Sequence, residues 1–138
     1  MVNLGGGPIQ LTRQGEYAIR CVLELARNFG KKHVTTKDVA AKQDIPSAFL
    51  TKVLNPLIKE GIIISQRGSA GGIMLARPPE EITLRKIIET VEGPFYLNQC
   101  LSEAGSCTRK PHCKVHQVWI KAQDALLEEL EVTLDKLI

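Results

Sequence analysis

Residues 45–75 read IPSAFLTKVLNPLIKEGIIISQRGSAGGIML. Pro46 disfavours helix at Ile45 and suits the start of a new one. Leu50, Val53, Leu54, Leu57 and Ile58 then recur at three- and four-residue spacing, which predicts a helix with one apolar face. Pro56 lies inside that helix and predicts a bend or a distorted turn. Gly61 stands where a helix terminator belongs. Ile62-Ile63-Ile64-Ser65-Gln66 is β-branched and reads as a strand, with Ile73-Met74-Leu75 as its partner. Between the two strands, Arg67-Gly68-Ser69-Ala70-Gly71-Gly72 forms a Gly-rich connection that allows close approach of backbone to a partner. The stretch is therefore a helix leading straight into a β-hairpin with Arg67 at its base.

Upstream, Thr36 can cap a short helix through about Lys42, with Val39 and Ala40 facing inward. Gln43-Asp44-Ile45-Pro46-Ser47 makes a tight connection to the longer helix. Two helices joined in this way give a helix-turn-helix, and the hairpin after them gives it a wing. Arg67 has no apolar role in such a hairpin. An earlier helix begins near Thr12, carries Ala18, Cys21, Val22 and Leu25 on one stripe, and ends by Gly30. Cys21 lies inside that stripe and reads as a small core residue. Residues 1–10 are expected to be a flexible leader, because Met1–Pro8 is Gly-rich and aperiodic.

Downstream, Thr83 caps a helix to about Glu92, with Leu84, Ile87, Ile88 and Val91 inward, and Gly93-Pro94 ends it. Residues 94–113 have loop character. From about Cys113 to the C-terminus, Val115, Val118, Trp119, Ala122, Leu126, Leu130, Leu134 and Leu137 recur at helical spacing. A helix of about 24 residues would be about 36 Å long. Its apolar surface exceeds what one small domain covers, so it predicts packing against a second copy. The expected organisation is a winged helix-turn-helix domain over 11–93, a loop over 94–113 and a dimerisation helix over 114–138. The fold class is mostly α with a small β wing.

The 138 residues contain 43% hydrophobic side chains, enough for a real core, and a formal charge of +3. That charge is uneven. Residues 31–86 hold ten Lys or Arg against five Asp or Glu, whereas residues 94–138 hold five against six. A basic segment beside a neutral one suggests a polyanion surface on one part of the molecule. No apolar run is long enough to span a bilayer and no signal region opens the chain, so a cytoplasmic location is expected. No nucleophile–base pair or phosphate loop is visible, which argues against an enzyme.

Three of the four cysteines, Cys100, Cys107 and Cys113, lie within fourteen residues. In a cytosolic chain such clustering points to a metal, cluster or redox site rather than disulfides. Cys113 and His116 are three apart at a helix start and share a side. Three soft thiolates and an imidazole suit either zinc or an iron–sulfur cluster. Three thiolates and a neutral imidazole leave one negative charge fewer on a [2Fe–2S] core than four thiolates, which eases its reduction. Arg109 and Lys110 in the same loop could offset the remaining charge. Spacing alone leaves zinc and iron–sulfur both open.

Taken together, Leu11-Thr12 with Tyr17-Ala18, the run Ile45 to Leu50 with Leu54 and Leu57, the wing Arg67-Gly68 with Gly71-Gly72, and the three cysteines resemble the IscR/NsrR-type winged-helix regulators over nearly the full chain. The resemblance implies a homodimer that binds a palindromic operator on double-stranded DNA, with transcription (repression among the outcomes) sensitive to iron, oxidants or nitric oxide. It implies a [2Fe–2S] cluster, with [4Fe–4S] or zinc as alternatives, on Cys100, Cys107 and Cys113. His116 falls where IscR-type members place a fourth ligand, and Glu16 where NsrR-type members offer a carboxylate. In the DNA reading, Ser47, Ala48, Thr51 and Lys52 face the major groove, while Arg67 and Gly68 approach the minor groove. The competing readings are a small iron–sulfur electron carrier or cluster-transfer protein, which has no use for the wing, and a zinc-stabilised DNA-binding protein.

Overall fold

A computed structural model describes residues 11–31, 33–66, 72–94 and 114–138. The expected leader, the wing residues Arg67 and Gly68, and the loop with Cys100, Cys107 and Cys113 lie outside the described residues. The elements in chain order are α1 (Arg13–Arg27), α2 (Thr36–Lys42), α3 (Ser47–Lys59), β1 (Ile63–Gln66), β2 (Gly72–Leu75), α4 (Leu84–Glu92) and α5 (Lys114–Glu129). Short 3-10 turns occupy Pro79–Glu81 and Leu134–Lys136. The chain divides into two compact units. One comprises Leu11–Gly93 with Glu131–Ile138, and the other includes Pro94–Leu130. No helix among the described residues is long and apolar enough to cross a membrane.

The first unit is a winged helix-turn-helix built around α1. Ala18, Cys21, Val22 and Leu25 are buried with Leu50, Val53, Leu57, Ile63, Ile73, Leu75 and Ile87 in one core. Thr12 caps α1 by accepting from the Gly15 amide at 3.3 Å. Its own amide and hydroxyl donate to the two oxygens of Glu92, each at 2.6 Å. The carboxylate that ends α4 thus rests at the positive end of α1. A Cβ on Gly15 would meet Glu92 Oε2 and Leu11 Cδ1 at 2.8 Å each, so glycine is what allows that approach.

β1 and β2 pair antiparallel, from Ile63 opposite Leu75 to Gln66 opposite Gly72. Val34 adds an antiparallel bridge to Ile73 on the other edge of β2. A Cβ on Gly72 would lie 2.7 Å from the Val34 carbonyl, so the bridge requires the bare backbone there.

Three expectations need correction. The cap of α2 is Thr35, which accepts from the Asp38 amide at 3.0 Å, not Thr36. Ile58 is 38% exposed rather than buried, because it lies at the edge of the α3 stripe in the last turn. The C-terminal helix does not run to the end of the chain but stops at Glu129. The tail returns to the first unit instead. Leu84 N donates to the Val132 carbonyl and Leu134 N to the Ile82 carbonyl, around a bridge between Thr83 and Thr133. Leu134 is fully buried in that core. The β-branched pair Val132-Thr133 suits the bridge better than a helix interior.

Candidate nucleic-acid interface

The turn between α2 and α3 sets the direction of the second helix. Gln43 caps α2 and Asp44 follows in left-handed backbone, at φ 55°. Ile45 N then donates to the Ala40 carbonyl at 2.9 Å, and the Ile45 side chain is buried. This is a Schellman closure with Asp where Gly is usual. Pro46 stands at the N-cap of α3 and supplies no side-chain hydrogen bond to it. The first-turn amides of α3 therefore have no side-chain acceptor from the capping residue.

Ser47, Ala48, Thr51 and Lys52 are all exposed, while Leu50, Val53, Leu54 and Leu57 fill the core. The spacing i, i+1, i+4, i+5 puts the four on one solvent-facing side. The Thr51 hydroxyl donates to the Ser47 carbonyl at 3.1 Å, which fixes its rotamer and leaves its lone pairs outward. Lys52 Nζ lies 5.5 Å from the centre of the Phe49 ring. Phe49 meets Tyr17 of α1 edge-on at 5.7 Å, and Arg20 lies over Tyr17 at 5.7 Å.

Glu24 holds the helix-turn-helix from behind, and sequence reasoning passed over it. Its side chain is 3% exposed. It accepts from Gln43 Nε2 at 2.8 Å and from Asn28 Nδ2 at 3.2 Å, and pairs with Lys42 at 3.1 Å. Arg27 stands 3.5 Å away. Burial by itself would raise the carboxyl pKa. Hydrogen bonds from Lys42 and Gln43, the Lys42 charge and the bond from Asn28 outweigh burial and hold it below the ordinary value. The available signal was a carboxylate three residues after Cys21, on the same buried side of α1.

The described part of the wing ends at the Gln66–Gly72 pair, and Arg67 and Gly68 belong to the connection beyond it. Of the four expected cluster ligands, only His116 is described, half-buried in the first turn of α5. Glu16 is exposed in the first turn of α1. Among the described residues, no three His, Cys, Asp or Glu side chains converge on a possible metal site.

The model of the Rrf2 family, an iron-dependent transcriptional regulator, matches residues 11–138. The chain belongs to the Rrf2 family. It is 36% identical to the regulator NsrR of Shouchella clausii, over 89% of this chain and 83% of that protein. It is 28% identical to the regulator IscR of Pectobacterium carotovorum, over 94% of this chain and 79% of that one. The structure of CymR, the global cysteine regulator of Bacillus subtilis, superposes with a TM-score of 0.78 at 28% identity, covering 94% of this chain and 95% of that one. As an Rrf2 protein the chain is a DNA-binding transcriptional regulator, not an enzyme. That removes the electron-carrier reading. It also gives the basic helix-turn-helix its polyanion.

Proposed function

We propose that this Rrf2 regulator is a cytoplasmic homodimer that binds a palindromic operator and reports iron–sulfur cluster or redox status. The observation that carries the DNA part is the outward face of α3. Ser47, Ala48, Thr51 and Lys52 stand in solvent over a closely packed inner face, and Glu24 fixes the preceding turn. A helix presented in this way enters a major groove by its N-terminal residues. Arg67 and Gly68, which follow Gln66 in the sequence, would extend the contact toward the minor groove. Homodimerisation through α5 is supported by its apolar exposure. Val115 and Val118 are 58% and 62% exposed, and Trp119 and Ile120 are 39% each.

The donor set fits an iron–sulfur group. Three thiolates from Cys100, Cys107 and Cys113 with the His116 imidazole match the soft ligands such a group takes, with Glu16 as the rival fourth ligand. Cys21 is no candidate, because burial and the nearby Glu24 charge push its thiol up to about 12. When bound, a [2Fe–2S] group would supply a one-electron, iron- and oxidant-sensitive centre, and [4Fe–4S] would use the same thiolates.

Anaerobic purification tests this reading. A brown protein with acid-labile sulfide is expected, and each of Cys100→Ala, Cys107→Ala and Cys113→Ala should lose both iron and sulfide. A colourless protein holding zinc would overturn the cluster and leave a zinc-stabilised DNA-binding protein. His116→Ala should shift the reduction potential and weaken cluster retention. An unchanged spectrum there, with bleaching in Glu16→Ala, would assign the fourth ligand to Glu16. Lys52→Ala and Arg67→Ala should each weaken operator binding by about 1–3 kcal/mol without lowering the melting temperature.

A further inference from the structure

We infer that α1 is a second DNA-contacting element, in which Arg20 grips the sugar–phosphate backbone beside the recognition helix; the inference rests on the DNA-binding reading of α3. Arg20 and Lys52 sit at the two ends of one continuous stack. Arg20 lies over Tyr17 at 5.7 Å, Tyr17 meets Phe49 at 5.7 Å, and Lys52 lies over Phe49 at 5.5 Å. The aromatic pair belongs to the packing of α1 on α3, with Tyr17 buried and Phe49 partly buried. It thereby fixes the guanidinium to the same rigid body as the base-reading face.

Stacking orders a cation without neutralising it. A guanidinium over a ring keeps its charge and its in-plane N–H fork, the geometry that matches a phosphate. Among the described residues neither Arg20 nor Lys52 forms an ion pair. The other cations nearby differ: Lys42 and Arg27 both face Glu24. An exposed, pre-ordered and uncompensated Arg has lost most of the conformational freedom that binding would otherwise remove.

The sequence pattern of α1 agrees. Arg13, Arg20 and Arg27 recur every seven residues, and such residues drift by only about 20° per repeat around a helix. All three are exposed. They form a row about 21 Å long on one side of the helix. Within the row Arg27 is compensated by Glu24 at 3.5 Å, whereas Arg13 and Arg20 form no ion pair among the described residues, so the uncompensated positive charge lies at the Arg13–Arg20 end. A duplex backbone is the polyanion whose regularly spaced charges a straight cationic row complements. Arg20 is the member of the row tied to α3.

A phosphate contact is independent of base sequence, so the probe is a fluorescein-labelled duplex of arbitrary sequence, titrated with the full-length protein at several salt concentrations. Arg20→Ala should reduce the slope of log Kobs against log salt by about 0.9, the value for one phosphate contact. Arg20→Lys should restore the slope. Arg20→Gln should repeat the loss while keeping a long stem over Tyr17, so that any change in melting of the alanine variant does not blur the result. Lys136→Ala, an exposed cation in the tail, should keep the parent slope. Parental binding by both Arg20→Ala and Arg20→Gln would overturn the inference alone. An equal fall in Lys136→Ala would overturn it as well, reducing the effect to net charge. A parent that binds no duplex at any salt would overturn the DNA-binding reading itself.

Discussion

Cys21 and Glu24 lie one turn apart on the buried side of α1 and respond to burial in opposite ways. Cys21 has no partner that favours its charged form. Burial first, and the neighbouring Glu24 charge second, push its thiol up to about 12. At neutral pH it is a protonated core side chain, so iodoacetamide should leave Cys21 unmodified in the folded protein and label it after denaturation. Mass spectrometry of the alkylated peptides measures this, and rapid native labelling would contradict the burial. Glu24 is instead held ionised by its hydrogen bonds and by Lys42, with a pKa below the ordinary value. A depressed carboxyl pKa stabilises the fold above the unfolded pKa of about 4.3 and loses that contribution as pH falls through the folded value. The parent should therefore lose stability more steeply than Glu24→Gln on going below about pH 4.3. Urea midpoints across the acid range read the difference, and parallel curves would show that Glu24 titrates as it does in the unfolded chain.

Asp44 holds the most demanding backbone of the helix-turn-helix. It is the only described non-glycine residue with positive φ, and it sits where the Schellman closure of α2 needs that conformation. Left-handed backbone costs an L-residue roughly 1–2 kcal/mol, and glycine gives back about 0.4–1 kcal/mol of that through its freer unfolded state. Asp44→Gly should thus stabilise the protein by about 0.5–1 kcal/mol, and Asp44→Val should destabilise it by more than about 1 kcal/mol. Calorimetric melting of the two variants decides, and a shift of the same sign in both would refute the turn geometry. The helices around this turn were readable from sequence because their determinants are local. Thr12 and Thr83 accept from amides three residues on, and the α3 stripe follows helical period. The role of Glu24 was not readable beyond its place on the buried side of α1, because Lys42 and Gln43 reach it from the end of α2 and nothing in the spacing of α1 announces them. The end of α5 was misread for a related reason. Leu130, Leu134 and Leu137 keep helical spacing, yet Leu134 is buried next to the bridge between Thr133 and Thr83, a pairing that depends on residues some fifty positions earlier. The outward placement of Ser47, Ala48, Thr51 and Lys52 was legible, since an apolar stripe fixes its own opposite face.

At the scale of the molecule, the chain leaves the winged-helix unit at Gly93 and rejoins it at Glu131. Both crossings are anchored. At the exit Glu92 is bound by the amide and hydroxyl of Thr12. At the return Arg85 bridges Glu89 and Glu131, at 3.1 and 2.9 Å, and Leu84 and Leu134 make backbone bonds across the Thr83–Thr133 bridge. The tail is therefore part of the DNA-binding unit, although the intervening residues separate it in sequence. Its energy should come from Leu134 rather than from the ion pair. Arg85 and Glu131 are 33% and 50% exposed, and pairs that exposed contribute about 0–1 kcal/mol. Leu134 is fully buried in the same core as Ile82 and Ile87, where truncation to alanine removes transfer energy and leaves a cavity, at about 2–5 kcal/mol. Leu134→Ala should lower the urea midpoint accordingly, with Glu131→Ala close to the parent. A fragment ending at Gly93 should be weakened at least as much as Leu134→Ala, because it loses the same side chain and both backbone bonds. If Leu134→Ala and the fragment unfold at the parental midpoint, the tail is an accessory to the winged helix and not a part of its core.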